Sequence, residues 1–522
     1  MKKMICCFGL LTLMFGCKKS FLDVPPQGES VNFDTATVQS LVTGAYSTLV
    51  TPDPGFSGFP QYDIHGVYFI TVTNIMSDDA DKGSYAQDQP PAADIDNFTL
   101  TSTNTYVEGL WKGYYAGIQR ANAAIASLNA DVSFFGAARV AEEVAEMRFL
   151  RGYFYFNLVR MFGGVPIVLS TATGFTNQLP TFNKRATASA VYDSVIIPDL
   201  QYAAQNLPLK SQTDVGRATK GAAETLLAKV DIYLKNWQQC DSLTNDVINS
   251  GQYQLVPDYS MLWKQAGDNS PESIFEVETG LYANTDHGIP EYVEFQGARQ
   301  DNGMGTPTTA WNNPGFNQPS GDDGFGFCTP TANLVAEYEP GDLRLPATII
   351  QLPASAPPDT LWDGFTIPTL EGITVNYNYK AYHSERPDQK YESFLTDRSQ
   401  CQKNVHLLRF AEVYLLKAEA DYNLGENGNA VSLLNMVRAR AGLAVTTAAG
   451  GTDLQTAIWH ERRVELAMEH DRFWDLVRQG RAASVMIASG KSNFVAGKNE
   501  LLPIPFAEIQ ASNGSLVQNP GY

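Results

Sequence analysis

Apolar residues along this chain recur at the i, i+3, i+4 spacing that buries one face of a helix, and the segments that carry this pattern come in pairs. Val38, Leu41, Val42, Ala45, Tyr46 and Leu49 form the first stripe, with Thr35 or Thr37 placed to cap it. Leu110, Trp111, Tyr114, Ile118, Ala121 and Ile125 form the next, over 106–128. The longest runs over 137–162 through Val140, Val144, Met147, Leu150, Phe154, Leu158 and Phe162, and Gly163-Gly164 followed by Pro166 stops it. A stripe through Leu226, Leu227, Val230, Tyr233 and Leu234 opens after 216–222, and a turn at 235–237 leads to a second helix ending near Gly251. Residues 406–442 repeat the arrangement: Ala411, Tyr414, Leu415, Ala418 and Tyr422, a turn at 425–428, then Ala430, Leu433, Leu434 and Val437.

Pairs of about 34 residues with small and aromatic side chains interlocking resemble tetratricopeptide repeats. These copies are divergent and lie far apart in the chain, so a simple solenoid is not expected, but each pair must still stack on a neighbour to bury its apolar face. Between 252 and 405 the texture changes to Gly, Pro, Asn and aromatics, with short β-like runs at 273–278 and 374–377; residues 51–105 read the same way. Long loops within a compact protein usually carry function. The expected fold is mainly α: divergent tetratricopeptide-like pairs carrying a loop-rich variable region.

The N-terminus narrows the setting. Lys2 and Lys3, an apolar run from Met4 to Phe15, then Gly16-Cys17 and a polar Lys18-Lys19-Ser20 describe a signal peptide too short to span a bilayer. Cleavage ahead of Cys17 resembles processing of a bacterial lipoprotein, which makes residues 1–16 the signal, Cys17 the lipidated end and 17–26 a tether. Loss of Lys2 and Lys3 takes the formal charge from −19 to −21, an acidity that repels nucleic acid and anionic lipid surfaces alike. Cys6 and Cys7 leave with the signal; Cys240, Cys328 and Cys401 are too few and too scattered for a disulfide framework or a zinc site. They read as structural, with at most one bridge.

Residues 145–166, which contain Arg148-Phe149-Leu150-Arg151-Gly152-Tyr153 and end in Phe162-Gly163-Gly164-Val165-Pro166, resemble the hallmark of the SusD/RagB family of surface lipoproteins. Further segments agree in order: 17–25, 216–229, Pro271-Glu272-Ser273-Ile274-Phe275-Glu276, 409–415, 461–467, 502–505 and Gln518-Asn519-Pro520-Gly521-Tyr522. The resemblance implies an N-terminal helical region over 27–250 and a C-terminal region over 251–522. It implies ligand loops at 280–330, a last helical pair at 406–442 and a surface-exposed position on the outer membrane. It also implies a SusC-like TonB-dependent transporter as partner, a glycan or, in some members, a peptide as cargo, and no catalysis and no cofactor.

Sugar capture needs flat apolar faces and a few fixed polar groups. Trp111, Trp237, Trp459 and Trp474 fall in helical segments or their turns, where packing accounts for them, and Trp263 reads as a loop anchor. Trp311, among the amides and hydroxyls of 304–316, is the leading stacking residue, and Trp362 a second. Tyr282, Asn284 and Arg299 flank the Trp311 loop as polar contributors. The segment Ser77-Asp78-Asp79-Ala80-Asp81-Lys82-Gly83-Ser84-Tyr85 resembles a family position where a short acidic run precedes a ligand-facing loop, which implies Tyr85 as the other arm, with Asp78 and Asp79 expected to hold the turn by backbone hydrogen bonds. Their spacing with Asp81 is not that of a calcium loop, and no metal is expected. Glu461, Glu465 and Glu469 share a helical face, but with Arg462, Arg463 and Arg472 interleaved they read as an ion-paired stripe rather than a glycosidase pair. His460-Glu461-Arg462-Arg463-Val464 lacks the second histidine of a zinc protease helix. The alternatives to glycan capture are peptide capture and a structural lid with little affinity of its own.

Overall fold

The computed structural model describes residues 35–50, 64–130, 132–171, 184–279, 292, 295–297, 325–351, 359–360, 366–367, 376–382 and 403–522. Helix α1 (Thr35–Tyr46) leads to α2 (Val67–Ile75), strand β1 (Ala80–Gly83) and α3 (Pro90–Asp96). Two long helices, α4 (Thr105–Ala130) and α6 (Ala137–Phe162), flank the single turn α5 (Val132–Phe135). Then come α7 (Ala188–Val191), α8 (Ile197–Asn206), α9 (Lys220–Leu234) and α10 (Trp237–Asn249). The C-terminal half begins with β2 (Ser273–Val277), β3 (Phe327–Pro330) and α11 (Ala332–Glu337). The strands β4 (Ile349–Gln351), β5 (Asp359–Thr360), β6 (Thr366–Ile367), β7 (Asn376–Asn378) and β8 (Val405–Arg409) follow. It closes with α12 (Phe410–Asn423), α13 (Asn427–Arg440), α14 (Gly451–Glu465), α15 (Arg472–Arg478) and α16 (Phe506–Ala511).

The helices form a row in which each packs on the next: α1 on α4, then α6, α8, α9, α10, α12 and α13, with one continuous apolar core along it. Helices α4 and α6 run antiparallel. Trp111 meets Phe162 edge-on at 5.0 Å, and further along Tyr114 meets Phe154 at 6.3 Å. The helices come this close because Gly117 has no side chain: a Cβ there would sit 2.6 Å from the Phe154 ring. Buried Arg151 ties α6 to both neighbours, forking onto Asp199 of α8 at 2.7 and 2.9 Å and donating to Asn122 of α4 at 2.7 Å. Thr219 caps α9 by accepting from the Ala222 N–H. Gly163, at φ +73, ends α6 where the Gly-Gly-Pro signal placed the stop.

The strands pair as two-stranded antiparallel ladders: β1 with β3, β2 with β8, β4 with β7 and β5 with β6. Three sequence expectations need correction. The 51–105 segment is not loop throughout, since α2 and α3 lie within it. Every residue of α2 is buried, so its helix has no polar face and leaves no periodic signature. The segment from 406 does not start as helix: 405–409 is a strand held against β2, and the helix begins at Phe410. Finally, α14 ends at Glu465, and Met468 and His470 follow with φ of +63 and +76, so Glu469 lies beyond the helix.

Cys240 and Cys328 are free, buried thiols on different elements, and burial raises the pKa of both. Cys401 lies outside the described residues. Trp111 and Trp474 are core residues. Trp263 anchors a second, smaller apolar cluster with Tyr259, Ile350, Tyr377, Tyr379 and Tyr382, as expected of a loop anchor.

Candidate functional site

The Tyr85 turn is built on a clasp between distant segments. Strand β1 pairs with β3 in the register Ala80–Pro330, Asp81–Thr329 and Gly83–Phe327. Gly83 has φ +68, and a Cβ there would lie 2.4 Å from the Gly326 carbonyl oxygen, so only glycine lets the strands close. The Ser84 N–H donates to that same oxygen at 2.7 Å, and the Gly326 N–H donates to the Gly297 carbonyl at 2.9 Å. Gly297 and Gly326, which are far apart in the chain, therefore meet beside Ser84, next to Tyr85.

The turn itself is fixed from below. Buried Lys82 donates its ammonium protons to the carbonyls of Tyr85 (2.7 Å) and Asp88 (2.9 Å). It also sits 5.2 Å from the Phe327 ring centroid, and Phe327 stacks flat on Phe295 at 4.1 Å. Ser84 Oγ donates to Asp88 Oδ2 at 2.8 Å. The Tyr85 side chain is half-buried, and the stem residue Phe325 is exposed. Such an arrangement offers an aromatic edge beside rigid backbone, with no ordering left to perform at the base when a ligand arrives.

Asp78 and Asp79 hold the turn through backbone hydrogen bonds, as expected from sequence, with the Thr331 hydroxyl donating to the Asp78 carbonyl at 2.8 Å and the Thr331 N–H to the Asp79 carbonyl at 2.9 Å, and their carboxylates add arginine partners that the sequence did not show. Arg472 chelates Asp78 at 2.8 and 2.9 Å, and Arg463 reaches Asp78 at 2.9 Å, Asp79 at 2.8 Å and Glu337 at 2.6 Å. Burial pushes both acids up; hydrogen bonds from Arg472 overcome it and leave Asp78 below its ordinary value, whereas Asp79, facing Asp78, stays above. Carboxylates so engaged are not offered to a cation. Among the described residues no cluster of His, Cys, Asp or Glu has the makings of a metal site.

The glutamate stripe is ion-paired, but not to the arginines interleaved with it. Glu465 accepts from Arg344 at 3.0 Å, from Arg409 at 2.5 Å and from Arg440. Glu461 accepts from Arg344 (2.5 Å) and Arg438 (3.1 Å), and Glu469 from Arg409 (2.7 Å) and Lys380 (2.5 Å). Arg462 turns instead to Asp475 (2.6 Å) and Glu412 (2.8 Å). Burial alone would raise the Glu465 pKa; Arg440, Arg409 and Arg344 reverse this and hold it far below the usual carboxylate range. Both acid oxygens and the main-chain carbonyl of Glu465 are committed to cations.

Of the residues singled out from sequence, Tyr85 is thus placed on the clasp. Trp311, Tyr282, Asn284, Arg299, Trp362 and Cys17 lie outside the described residues. Sequence reasoning missed Lys82 and Phe327; a lone lysine beside Gly83 within an acidic run was the available signal.

A row of packed helices with the Tyr85 turn clasped to β3 defines a helical-repeat scaffold by architecture. Two family models match: "SusD-like_3: Starch-binding associating with outer membrane" over residues 20–234, and "SusD family" over 271–522. Together they take in most of the chain, which belongs to the SusD/RagB family. SusD-like protein P2 of Formosa agariphila is 26% identical, over 98% of each chain. A solved laminarin binding SusD-like protein is 29% identical with a TM-score of 0.74, covering 94% of this chain and all of its own. Surface glycan-binding protein A from Bacteroides thetaiotaomicron, solved in complex with laminarihexaose, is 26% identical with a TM-score of 0.73, covering 93% and 99%.

Proposed function

We propose that this protein captures a glycan at the cell surface without altering it and passes it to a SusC-like TonB-dependent transporter of the outer membrane, to which it is tethered by lipid on Cys17. The observation that carries the reading is its end-to-end likeness to a laminarin-binding relative, with an aromatic turn rigidly clasped beside the loop-rich region. Capture works by geometry. Tyr85 docks a sugar ring face from one side; Trp311 docks the next from the loop rooted beside it; Asn284, Tyr282 and Arg299 orient hydroxyls, with Trp362 extending the aromatic surface. Because Lys82 and the β1–β3 ladder hold the turn in place, little binding energy goes into ordering it.

The test is binding of the soluble protein from Lys18 onward to laminarin, starch, other polysaccharides and a peptide panel, with Trp311→Ala alongside. Saturable binding to one polysaccharide, weakened about tenfold (1.4 kcal/mol) in the variant, supports the reading. Binding to peptides alone moves the protein to the peptide-capturing branch of its family. Absence of binding to all of them favours a structural lid.

A further inference from the structure

The Tyr85 turn rests on a socket built by the C-terminal end of the chain. Arg463 and Arg472 hold Asp78 and Asp79 at the entry to β1. Lys491 reaches further in. It is buried, and its ammonium group donates to acceptors from three elements. These are the Ile75 carbonyl at the end of α2 (2.6 Å), the Ala80 carbonyl at the start of β1 (3.1 Å) and Asp96 Oδ1 at the end of α3. An ammonium has three donors and no acceptor, so this set uses it completely. The other oxygen of Asp96, Oδ2, accepts from the Lys82 N–H at 2.9 Å. Lys82 in turn holds the Tyr85 and Asp88 carbonyls with its own ammonium. A route Lys491–Asp96–Lys82–Tyr85 thus joins the C-terminal segment to the turn.

The ammonium is itself held in place. The Lys491 N–H donates to the Met486 carbonyl at 2.9 Å, and the Phe494 N–H donates to the Lys491 carbonyl at 3.1 Å. Asn493 donates to the Asn97 carbonyl at 3.0 Å, just past α3, and buried Phe494 meets Phe98 edge-on at 5.0 Å. A cation at the end of α2 suits the carbonyls that terminate a helix. Because α2 is buried throughout, its last carbonyl needs a protein donor in place of water. One ammonium therefore sets the spacing of α2, β1 and α3. Its three hydrogen-bond partners lie 395 to 416 residues away in sequence.

We propose that Lys491 is a positioning residue for ligand capture: it fixes the Tyr85 turn from below, through Asp96 and Lys82, and does so without touching the ligand. The inference rests on the reading that Tyr85 docks a sugar ring. A turn clamped before the ligand arrives spends no binding energy on being ordered, whereas an unclamped one does. Removing the ammonium leaves two carbonyls and a carboxylate without their donor, and β1 is then free to shift against α2 and α3. Part of that loss is electrostatic, the stranded charge of Asp96, and part is positional, the released carbonyls of Ile75 and Ala80. The two parts can be separated, because Asp96→Asn removes the charge and keeps an amide oxygen to accept from the Lys82 N–H.

The experiment titrates laminarin, or whichever polysaccharide of the panel above the parent binds, into the full-length protein and three variants. These are Lys491→Met, Lys491→Met with Asp96→Asn, and Leu434→Ala, a buried position on α13 that destabilises the core away from the turn. Urea midpoints and hydrogen exchange of the 82–88 amides are measured alongside. Both Lys491 variants should bind about tenfold more weakly and exchange faster at 82–88, with α9 unchanged. The double variant should recover much of the urea midpoint and none of the affinity, which a merely structural lysine would not do. Leu434→Ala should lower the midpoint and keep the affinity. Parent-like affinity and exchange in the double variant overturn the proposal and leave glycan capture standing. Equal loss of affinity in Leu434→Ala overturns it too, since affinity then follows global stability. Where Lys491→Met does not fold, the double variant carries the test; failure of both to fold makes Lys491 a residue of the fold and not of the site. A parent that binds none of the polysaccharides overturns the reading of the site, and this inference with it.

Discussion

Helices α6 and α14 are both buried over much of their circumference, yet they are held by opposite means. Helix α6 presents Phe149, Leu150, Phe154, Phe156, Leu158 and Phe162 to its neighbours, and its packing is mainly a matter of shape, with Arg151 and Arg160 adding buried ion pairs to Asp199 and Asp471. Helix α14 buries Glu461, Arg462, Arg463 and Glu465, and its packing is a matter of charge matching with Arg344, Arg409, Arg438 and Arg440, which come from segments 23 to 121 residues away in sequence. An apolar contact tolerates loss of one partner by leaving a small void. A buried ion network leaves the surviving charges without water or counterion. The N-terminal half should therefore answer to volume and the C-terminal half to charge.

The largest effect is expected from Glu465→Ala, which takes one carboxylate at once from buried Arg344, Arg409 and Arg440 and should cost about 3–5 kcal/mol of stability, read as a lower urea midpoint. Because the site is buried, that deficit should persist when salt rises from 0.1 to 1 M, where the screening length falls from ~10 to ~3 Å; a deficit that vanishes in salt would erase the contrast between the halves. Gly117→Ala should cost about 1–3 kcal/mol by driving a methyl into the Phe154 ring, with no salt dependence either.

Two buried histidines sharpen the comparison through pH. The His65 Nδ1–H donates to the Leu49 carbonyl at 2.7 Å, so Nε2 accepts from Tyr153. Thr73 Oγ1 donates to the Phe69 carbonyl and so accepts from His470 Nδ1 at 2.8 Å. Burial lowers His65 to about 4 and His470 to about 3. Folded values below the unfolded ~6.5 mean that the unfolded chain binds more protons in between. Stability is thus present in full above about 6.5 and lost as pH falls toward 4. His65→Gln should flatten that dependence by up to about 1.4 kcal/mol per pH unit, measured as the urea midpoint between pH 6.5 and 4.5. A cost of about 1–3 kcal/mol is likewise expected for Gly83→Ala, whose Cβ would meet the Gly326 carbonyl oxygen at positive φ, with a loss of glycan affinity besides, because the clasp below Tyr85 opens.

What could be read in the sequence follows the same divide. Helices α4, α6, α9, α10 and α13 were legible because their apolar residues recur at helical spacing with polar ones between, and the Gly163-Gly164 stop lies where the punctuation put it. Helix α2 was not, since an element apolar on every side carries no period. The ion pairs of Asp78, Asp79 and the α14 glutamates were legible only as charge; their partners lie up to 394 residues away, and pattern along a chain says nothing about pairing across it. Tyr85 was placed by resemblance, whereas the lysine beneath it, which looks from sequence like one more solvated charge, needed the three-dimensional contacts.

The most direct test of glycan capture at the clasped turn is calorimetric titration of the preferred polysaccharide into four proteins: the parent, Tyr85→Ala, Trp311→Ala and the double variant. The account predicts that each single change weakens binding about tenfold or more (1.4 kcal/mol), and that the double variant departs from additivity by about 0.5–3 kcal/mol, as expected for two arms of one site. Unaltered affinity in Tyr85→Ala, or strict additivity of two independent losses, would contradict it.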